Sequence, residues 1–206
     1  MRTMFFVLGF LFLLNLHGQK LVKKAFVNSR TTSIQINSQY CYQVGLGTAK
    51  TNDVSVEAEI EGEYSKDLLI TIEEKGTTVL ISTGFQPNFI NPNDKLSAHK
   101  VISIRLNITL PEYKKVFVYG TNSNVLVEGK YKNLQVKLSD GRCILDNAIE
   151  RIEVTTQKGD ILLMTEKGNV IAESVYGKIE KETIPKGQNQ YILKTVEGNI
   201  DLRKTK

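Results

Sequence analysis

The sequence predicts an all-β protein, with a β-solenoid of nine-residue repeats in the C-terminal half and an irregular β-sheet region before it. Glycine-led turns recur at intervals of nine residues, apolar residues come in pairs two positions apart, and no segment has the periodicity of an amphipathic helix. Because residues two apart share one face of a strand, each interval offers a short strand with two core-facing side chains.

The repeat spans the chain from about Lys114 onward, with one three-residue insertion within Thr183 to Gln190. The glycines that lead its turns are Gly141, Gly159, Gly168, Gly177 and Gly198. The first predicted core column is Val116, Val125, Leu134, Cys143, Ile152, Ile161, Val170, Ile179, Tyr191 and Ile200. The second is Val118, Val127, Val136, Leu145, Val154, Leu163, Ala172, Lys181, Leu193 and Leu202, in which only Lys181 is not apolar.

Turn chemistry and spacing refine this prediction. The glycines are expected to supply positive φ, and hydroxyl residues three positions earlier, such as Thr156 and Ser174, to bond the turn backbone. The glycine is more regular at every second turn, which indicates two strands per coil. A three-sided coil and an antiparallel meander are the alternatives. The charges of Arg203 to Lys206 are expected to discourage strand pairing at an open edge.

The first residues predict export. Phe5 to Leu16 is an apolar run behind one positive charge at Arg2, too short for the roughly 20 residues of a bilayer span. Residues 1–19 are interpreted as a signal peptide, 20–111 as an N-terminal β region packing on the solenoid, and 112–206 as the solenoid. A buried first strand or helix is the alternative. The expected location is the periplasm or the cell surface, with no transmembrane anchor.

The N-terminal region contains one long predicted loop, from Gly84 to Lys100, rich in Pro and Asn. Phe85, Phe89 and Ile90 lie in it and are weak candidates for ligand binding. If exposed, they favour contact with a glycan or a protein partner. The alternative is that they fold back and cover the core.

Three consecutive features stand out from Ile102 onward. A strand ends in Leu110-Pro111, the segment Val116 to Val118 follows, and turns of the type Gly-Asp-Ile or Gly-Asn-Ile then repeat. In these features the chain resembles bacterial putative-adhesin families of unknown function, including the auto-transporter adhesin head GIN domain, over about residues 30 to 203. The resemblance implies a β-solenoid-like fold in an exported envelope protein, and it transfers no binding residues.

Composition and motifs give no catalytic, cofactor or metal site. The net charge of +5 is spread along the chain, so no nucleic-acid partner is expected. His99 is the one histidine beyond the predicted signal peptide, and no spacing of His or Cys favours zinc. Cys143 falls in a core column and is read as a core residue, with a bond to Cys41 as the alternative.

The sequence therefore favours a non-catalytic, adhesin-like binding or structural module of the cell envelope or surface. Its partner would be an envelope glycan or a protein. The first alternative is a regulatory or structural periplasmic protein that acts through one protein partner. A polysaccharide-active enzyme, built from exposed acids such as Glu128, Asp146 and Glu153, is the last alternative.

Overall fold

The computed structural model describes residues 19–27, 30–62, 66–90 and 102–205, and these form fifteen β-strands and no helix. The all-β prediction is confirmed. Residues 1–18 of the predicted signal peptide lie outside the described residues, as does His99. The strands are β1 (Gln19–Phe26), β2 (Ser33–Asn37), β3 (Cys41–Ala49), β4 (Asp53–Gly62), β5 (Leu68–Lys75), β6 (Thr78–Phe85), β7 (Ile102–Pro111), β8 (Lys115–Asn122), β9 (Asn124–Asp140), β10 (Cys143–Thr156), β11 (Ile161–Thr165), β12 (Asn169–Ser174), β13 (Ile179–Lys181), β14 (Gln190–Thr195) and β15 (Ile200–Lys204).

All fifteen strands belong to one mixed sheet that is bent into two arms. The first arm has the order β1-β4-β7-β3-β9-β10-β11-β15-β13, and the second has β5-β6-β2-β8-β9-β10-β14-β12. Because β9 and β10 are long enough to enter both arms, they join the two. Core-facing side chains from both arms form one buried cluster, so the arms pack face to face.

Both long strands bend where they pass between the arms. In β9 the bend contains Gly129, with φ of 107°, and the buried Tyr131, whose hydroxyl donates to the carbonyls of Leu46 (3.1 Å) and Glu128 (2.7 Å). In β10 the bend contains Asn147 and Glu150, with φ of 49° and 82°. Hydrogen bonds at the corner thus fix the angle between the arms.

The predicted core columns match the burial pattern closely. Sixteen of the twenty positions are buried, and Val170 and Ala172 pack partly against the core. Neighbouring parallel strands are offset by eighteen residues in the middle of the sheet, since Cys143 pairs with Val125 on one side and Ile161 on the other. Ile179 is 40% exposed, because its strand, β13, lies at the end of the first arm.

The reason expected for the turn glycines is wrong in most cases. Among Gly141, Gly159, Gly177 and Gly198, only Gly141 has a positive φ, of 91°. These glycines stack in a column, and a Cβ on any one would overlap the carbonyl of the residue stacked against it, which is Ser123 for Gly141. Close approach of neighbouring backbones therefore requires glycine here.

The turn hydroxyls bond the backbone as predicted. The Ser174 hydroxyl accepts from Gly177 N–H (2.9 Å) and donates to the carbonyl of Gly198 (2.8 Å). The Thr195 hydroxyl accepts from Gly198 N–H (3.0 Å), and the Thr156 hydroxyl donates to the carbonyl of Gly159 (2.6 Å). These bonds satisfy backbone groups that a tight turn would otherwise leave unpaired.

The strand order departs from the chain order at the C-terminus. A regular stack would place β12 next to β10 and β13 next to β11, but β14 and β15 occupy those places. The strands β12 and β13 then pair on the outer sides of β14 and β15. The prediction that the C-terminal charges guard an open edge is therefore wrong, because β15 has a neighbour on each side.

One of these charges instead forms ion pairs on the exposed surface of the sheet. Arg203 forms ion pairs with Asp201 (2.8 Å), Glu182 (3.4 Å) and Glu180 (3.5 Å). The backbone N–H of Lys204 and the guanidinium of Arg203 lower the pKa of the Glu182 carboxyl. These contacts tie the outer strand and the segment after it to β15, although exposed pairs of this kind stabilise little individually.

The N-terminal region is β-sheet, as predicted. β5 and β6 form an antiparallel hairpin around Gly76, whose φ is 63°, and β7 ends at Pro111. β6 extends through Phe85, so the strand continues two residues into the loop predicted from Gly84. Residues 91–100 of that loop lie outside the described residues. Cys41 and Cys143 are both buried and free, which agrees with the core interpretation of Cys143.

Candidate ligand-binding surface

An aromatic cluster lies where the second arm meets the turn between β2 and β3. Phe85, at the end of β6, stacks on Phe89 with ring centroids 4.1 Å apart and an interplanar angle of 10°. The ring of Tyr40 meets Phe85 edge-on at 5.4 Å. Tyr40 is 41% exposed and the neighbouring Ile90 is 85% exposed, so the cluster presents apolar surface to solvent.

The turn that carries Tyr40 is held by a buried hydroxyl pair. Ser38 and Ser123 are fully buried with their hydroxyl oxygens 3.1 Å apart, and Ser123 also donates to the carbonyl of Cys41 (2.7 Å). The Thr83 hydroxyl donates to the carbonyl of Gln39. Tyr40 itself has φ of 70°, an uncommon conformation for a side chain of this size. A non-glycine residue is thus fixed in a strained position with its ring at the surface.

The second wall of the cluster comes from a tight turn after β6. Phe89 N–H donates to the carbonyl of Gln86 (2.9 Å), with Pro87 in the second position of the turn, where its fixed φ is favoured. Gln86 is anchored by its N–H to the carbonyl of Asp67 (2.8 Å) and by its amide to the carbonyl of Lys66 (2.8 Å). The turn reverses the chain and brings Phe89 back onto Phe85.

A further aromatic residue, Tyr42, lies in β3, shortly after the turn that carries Tyr40. Tyr42 is exposed, and the guanidinium of Arg105 lies 5.6 Å from its ring centroid. Arg105 also donates to Glu59 at 3.1 Å. Ring faces beside a guanidinium–carboxylate pair can stack on a ligand and exchange hydrogen bonds with it.

The sequence candidates occupy different environments in this cluster. Phe85 packs partly against the core, Phe89 is partly buried by stacking, and Ile90 is exposed. Phe85 thus fits the alternative that these residues cover the core, and Ile90 fits the prediction of an exposed contact residue. The binding role of all three stays a prediction. Sequence reasoning missed Tyr40. The aromatic pair in Tyr40-Cys41-Tyr42 was the available signal.

The outward-facing acids of the enzyme alternative lie in two places on the sheet. Glu128 and Asp146 are neighbours in register, whereas Glu153 lies between Gln135 and Ile192. Glu173 pairs with Lys194 at 2.8 Å. Within the described ranges, no group of three or more His, Cys, Asp or Glu side chains could hold a metal ion. The same residues contain no apolar helix of the length that crosses a bilayer.

Fold and surface together define a two-armed β protein that presents an aromatic cluster on a largely parallel frame. No protein-family model and no curated protein matches the chain. Among solved structures, the chain is similar to a putative cell adhesion protein from Clostridium sporogenes ATCC 15579. The identity is 14%, the TM-score is 0.59, and the match covers 91% of this chain and 100% of that chain. At this identity the likeness shows the fold alone.

Weaker likeness extends to two further bacterial proteins. A putative adhesin from Bacteroides fragilis NCTC 9343 has a TM-score of 0.35 at 14% identity, covering 89% of this chain and 97% of that chain. A putative adhesin from Parabacteroides distasonis ATCC 8503 has a TM-score of 0.33 at 12% identity, covering 90% and 97%. The neighbour from Clostridium sporogenes, a putative cell adhesion protein, confirms the resemblance stated from the sequence at the level of the fold.

Proposed function

We propose that the protein is an exported, non-catalytic, adhesin-like binding module of the cell envelope or surface, with the aromatic cluster as its contact surface. The observation that carries this proposal is the exposed ring of Tyr40, held at φ of 70° by buried hydrogen bonds beside Phe85 and Phe89. A fixed aromatic surface suits a glycan ring or an apolar patch on a protein, because little side-chain entropy is lost on binding.

We infer that the frame behind this surface is a solenoid of nine-residue units formed by residues 112–206, on which residues 20–111 pack. The offset of eighteen residues between paired strands, two units per coil, supports this inference. So does the column of stacked glycines at one corner. Such a frame is stiff, since each coil is hydrogen-bonded to its neighbours along its length. A stiff frame would present the cluster at a constant angle.

Export and the class of partner also belong to this proposal. The apolar run from Phe5 to Leu16 supports a signal peptide. The structural neighbour from Clostridium sporogenes is a putative cell adhesion protein, which supports a surface role. An envelope glycan or a protein partner would satisfy the cluster.

The test is a binding experiment with a matched pair of variants. Tyr40 and Tyr113 are both exposed tyrosines in left-handed turns, with φ of 70° and 59°, but only Tyr40 lies in the aromatic cluster. The purified protein is titrated against envelope fractions and a polysaccharide panel at low and high salt. We expect saturable binding that survives high salt and falls about three- to tenfold in Tyr40→Ala, with Tyr113→Ala unchanged.

Two results would contradict the proposal. Binding that disappears at high salt would reduce to the mild positive charge of the chain. Equal binding by Tyr40→Ala and Tyr113→Ala, with matching thermal unfolding curves, would place the contact surface elsewhere.

A further inference from the structure

A second surface feature arises where the strand order departs from the chain order. β14 enters between β10 and β12 and runs parallel to both, so the connection from β11 to β12 and the segment 182–189 lead into the same ends of neighbouring strands. These two connections and the bend of β10 enclose a crevice. Here the crevice is a cleft of about 690 Å³ between the bend of β10, the β11–β12 turn and residues 186–189.

The wall formed by β10 is conformationally strained. Its register shifts twice, between Asp146 and Ile149 and again between Glu150 and Ile152. Asn147 and Glu150 have positive φ, and glutamate adopts this conformation much less readily than glycine or asparagine. A glycine at position 150 would relieve the strain at the expense of the carboxylate. Strain of this kind is concentrated at functional sites, and the residue retained here is charged and lines the cleft.

The other walls are tied to this bend by hydrogen bonds. The Asn189 side-chain oxygen accepts from Glu150 N–H (3.2 Å), and the Asn147 side-chain oxygen accepts from the Thr205 hydroxyl (3.0 Å). On the opposite side, Asn169 donates to the carbonyl of Gly187 (2.8 Å) and Gly168 N–H to that of Pro185 (2.9 Å). The three segments around the cleft therefore hold one another in place, and a ligand would meet a preformed surface.

The side chains that line the cleft indicate which class of ligand it would bind. The cleft offers the amide of Gln188, the carboxylates of Glu150 and Glu166, and the ammonium groups of Lys167 and Lys186. The lining thus combines donors and acceptors, with Ile149 as its apolar side chain. Vicinal hydroxyls match such a lining, because each hydroxyl donates to one oxygen and accepts from one N–H. A phosphate group would require excess positive charge, but two carboxylates offset the two lysines, and an acyl chain would require apolar walls.

We propose that this cleft is a second ligand site, separate from the aromatic cluster, and that it binds a neutral saccharide. Recognition runs through Glu150 and Gln188, with Lys167 and Lys186 as further donors. The strained bend of β10 positions Glu150 in the lining of the cleft. Glu150 should therefore favour ligand binding and lower the stability of the protein.

The experiment uses the whole protein and three variants: Glu150→Gly, Gln188→Ala and, as control, Tyr40→Ala. The probes are gluco-, manno-, galacto- and xylo-tetraose, with polygalacturonate and inorganic phosphate as charged comparisons, all measured by titration calorimetry. We expect at least one neutral tetrasaccharide to bind, about tenfold more weakly to Glu150→Gly and Gln188→Ala and equally well to Tyr40→Ala. Glu150→Gly should also unfold at a higher temperature than the unchanged protein.

Three results would overturn the proposal. None of the four tetrasaccharides binds saturably, or the two cleft variants bind as the unchanged protein does, or phosphate or polygalacturonate binds more tightly than every neutral probe. Because Tyr40→Ala tests the aromatic cluster and leaves the cleft intact, failure of the cleft and failure of the proposed function give different patterns.

Discussion

At Gly159 a single hydrogen in place of a methyl group allows two backbones to approach. A Cβ at this position would overlap the carbonyl oxygen of Gly141, and one at Gly198 would overlap the carbonyl of Gly159. Backbone atoms at a stacked corner cannot move apart without breaking the neighbouring ladder. The column therefore constrains the sequence by contact, and a glycine outside it should be replaceable.

Gly159→Ala should destabilise the protein by roughly 1–3 kcal/mol, because the added methyl overlaps backbone and not a flexible side chain. Gly84→Ala is the matched control, since nothing lies within 4 Å of its Cβ position and its φ is not positive. Urea unfolding monitored by circular dichroism gives both values. Equal stability of the two variants would contradict the stacked column.

Ile161→Asp should unfold the protein, since Ile161 is 1% exposed and the new carboxylate would be buried without a partner. Leu162→Asp tests the outward neighbour on the same strand, which is only partly buried. Thermal unfolding should show no cooperative transition for the first variant and a retained one for the second. A normal melting curve for Ile161→Asp would mean that the core-facing register is misassigned.

Two buried thiols predict a loss of stability at alkaline pH. Burial raises the pKa of Cys143 to about 12 and that of Cys41 to about 11, from 9.0. Above pH 9 the unfolded chain releases these protons while the folded protein retains them, so the stabilisation is complete below that pH and is lost as pH rises. Tyr131 and Tyr191, whose pKa values burial also raises, act in the same direction.

Cys143→Ala should therefore reduce the slope of stability against pH between pH 9 and 11, within the window that the raised pKa defines. The measurement is the urea midpoint as a function of pH, with the pH 7 value of the same variant as its baseline. An unchanged slope would show that the Cys143 thiol ionises equally readily in the folded and unfolded chains.

At the scale of elements, both ends of the first arm carry a lysine at a core-facing position. Lys23 on β1 pairs in register with the buried Val56 and donates to the carbonyl of Ile70 in the second arm. Lys181 on β13 pairs with the buried Leu202 but is itself exposed. A core-facing charge on an edge strand prevents another strand from docking there without burying that charge.

Lys181→Val should increase self-association, because it completes an apolar row on an edge strand beside the exposed Ile179. Lys178→Val is the control, since Lys178 lies in the preceding turn and not at a core-facing position. Sedimentation over a range of concentrations should show association of the first variant and a monomer for the second. If Lys181→Val stays monomeric, the short length of β13, and not the charge of Lys181, protects this edge.

The core columns could be predicted because a side-chain period of two and a fixed spacing allow only one register. The order of the last strands could not, since β12 and β14 both offer an apolar pair. Tyr191 distinguishes them, because its hydroxyl donates to the carbonyl of Ala148 (2.8 Å) and bonds the Thr165 hydroxyl (3.0 Å). Its ring also occupies the space where a Cβ of Gly168 would lie. Tyr40 was missed because a left-handed turn leaves no periodic signal.

For the whole molecule, the strand order is directly testable by cross-linking. The outward residues Glu153 and Ile192 are in register on adjacent strands, whereas Ile171 lies one strand further out. Adjacent strands are about 4.8 Å apart and next-nearest strands about 9.6 Å, beyond the roughly 7 Å limit for a disulfide.

Glu153→Cys combined with Ile192→Cys should therefore form a disulfide on mild oxidation, and Glu153→Cys combined with Ile171→Cys should not. Mass spectrometry of non-reduced digests identifies the bonds, and the single variants control for pairing with Cys41 or Cys143. Efficient cross-linking of positions 153 and 171 would indicate that the coils stack in chain order.

The inverted order of the last strands also has a consequence during synthesis. Chains emerge from the ribosome N-terminus first, and early segments begin to fold before later ones exist. Here β12 and β13 emerge before the strands on which they rest, while β10 and β11 present an edge of matching register. The nascent chain thus passes through a period in which the wrong neighbour is within reach and the right one has not been made. Translation speed across the codons for residues 182–204 then becomes a factor in how much of the protein folds correctly.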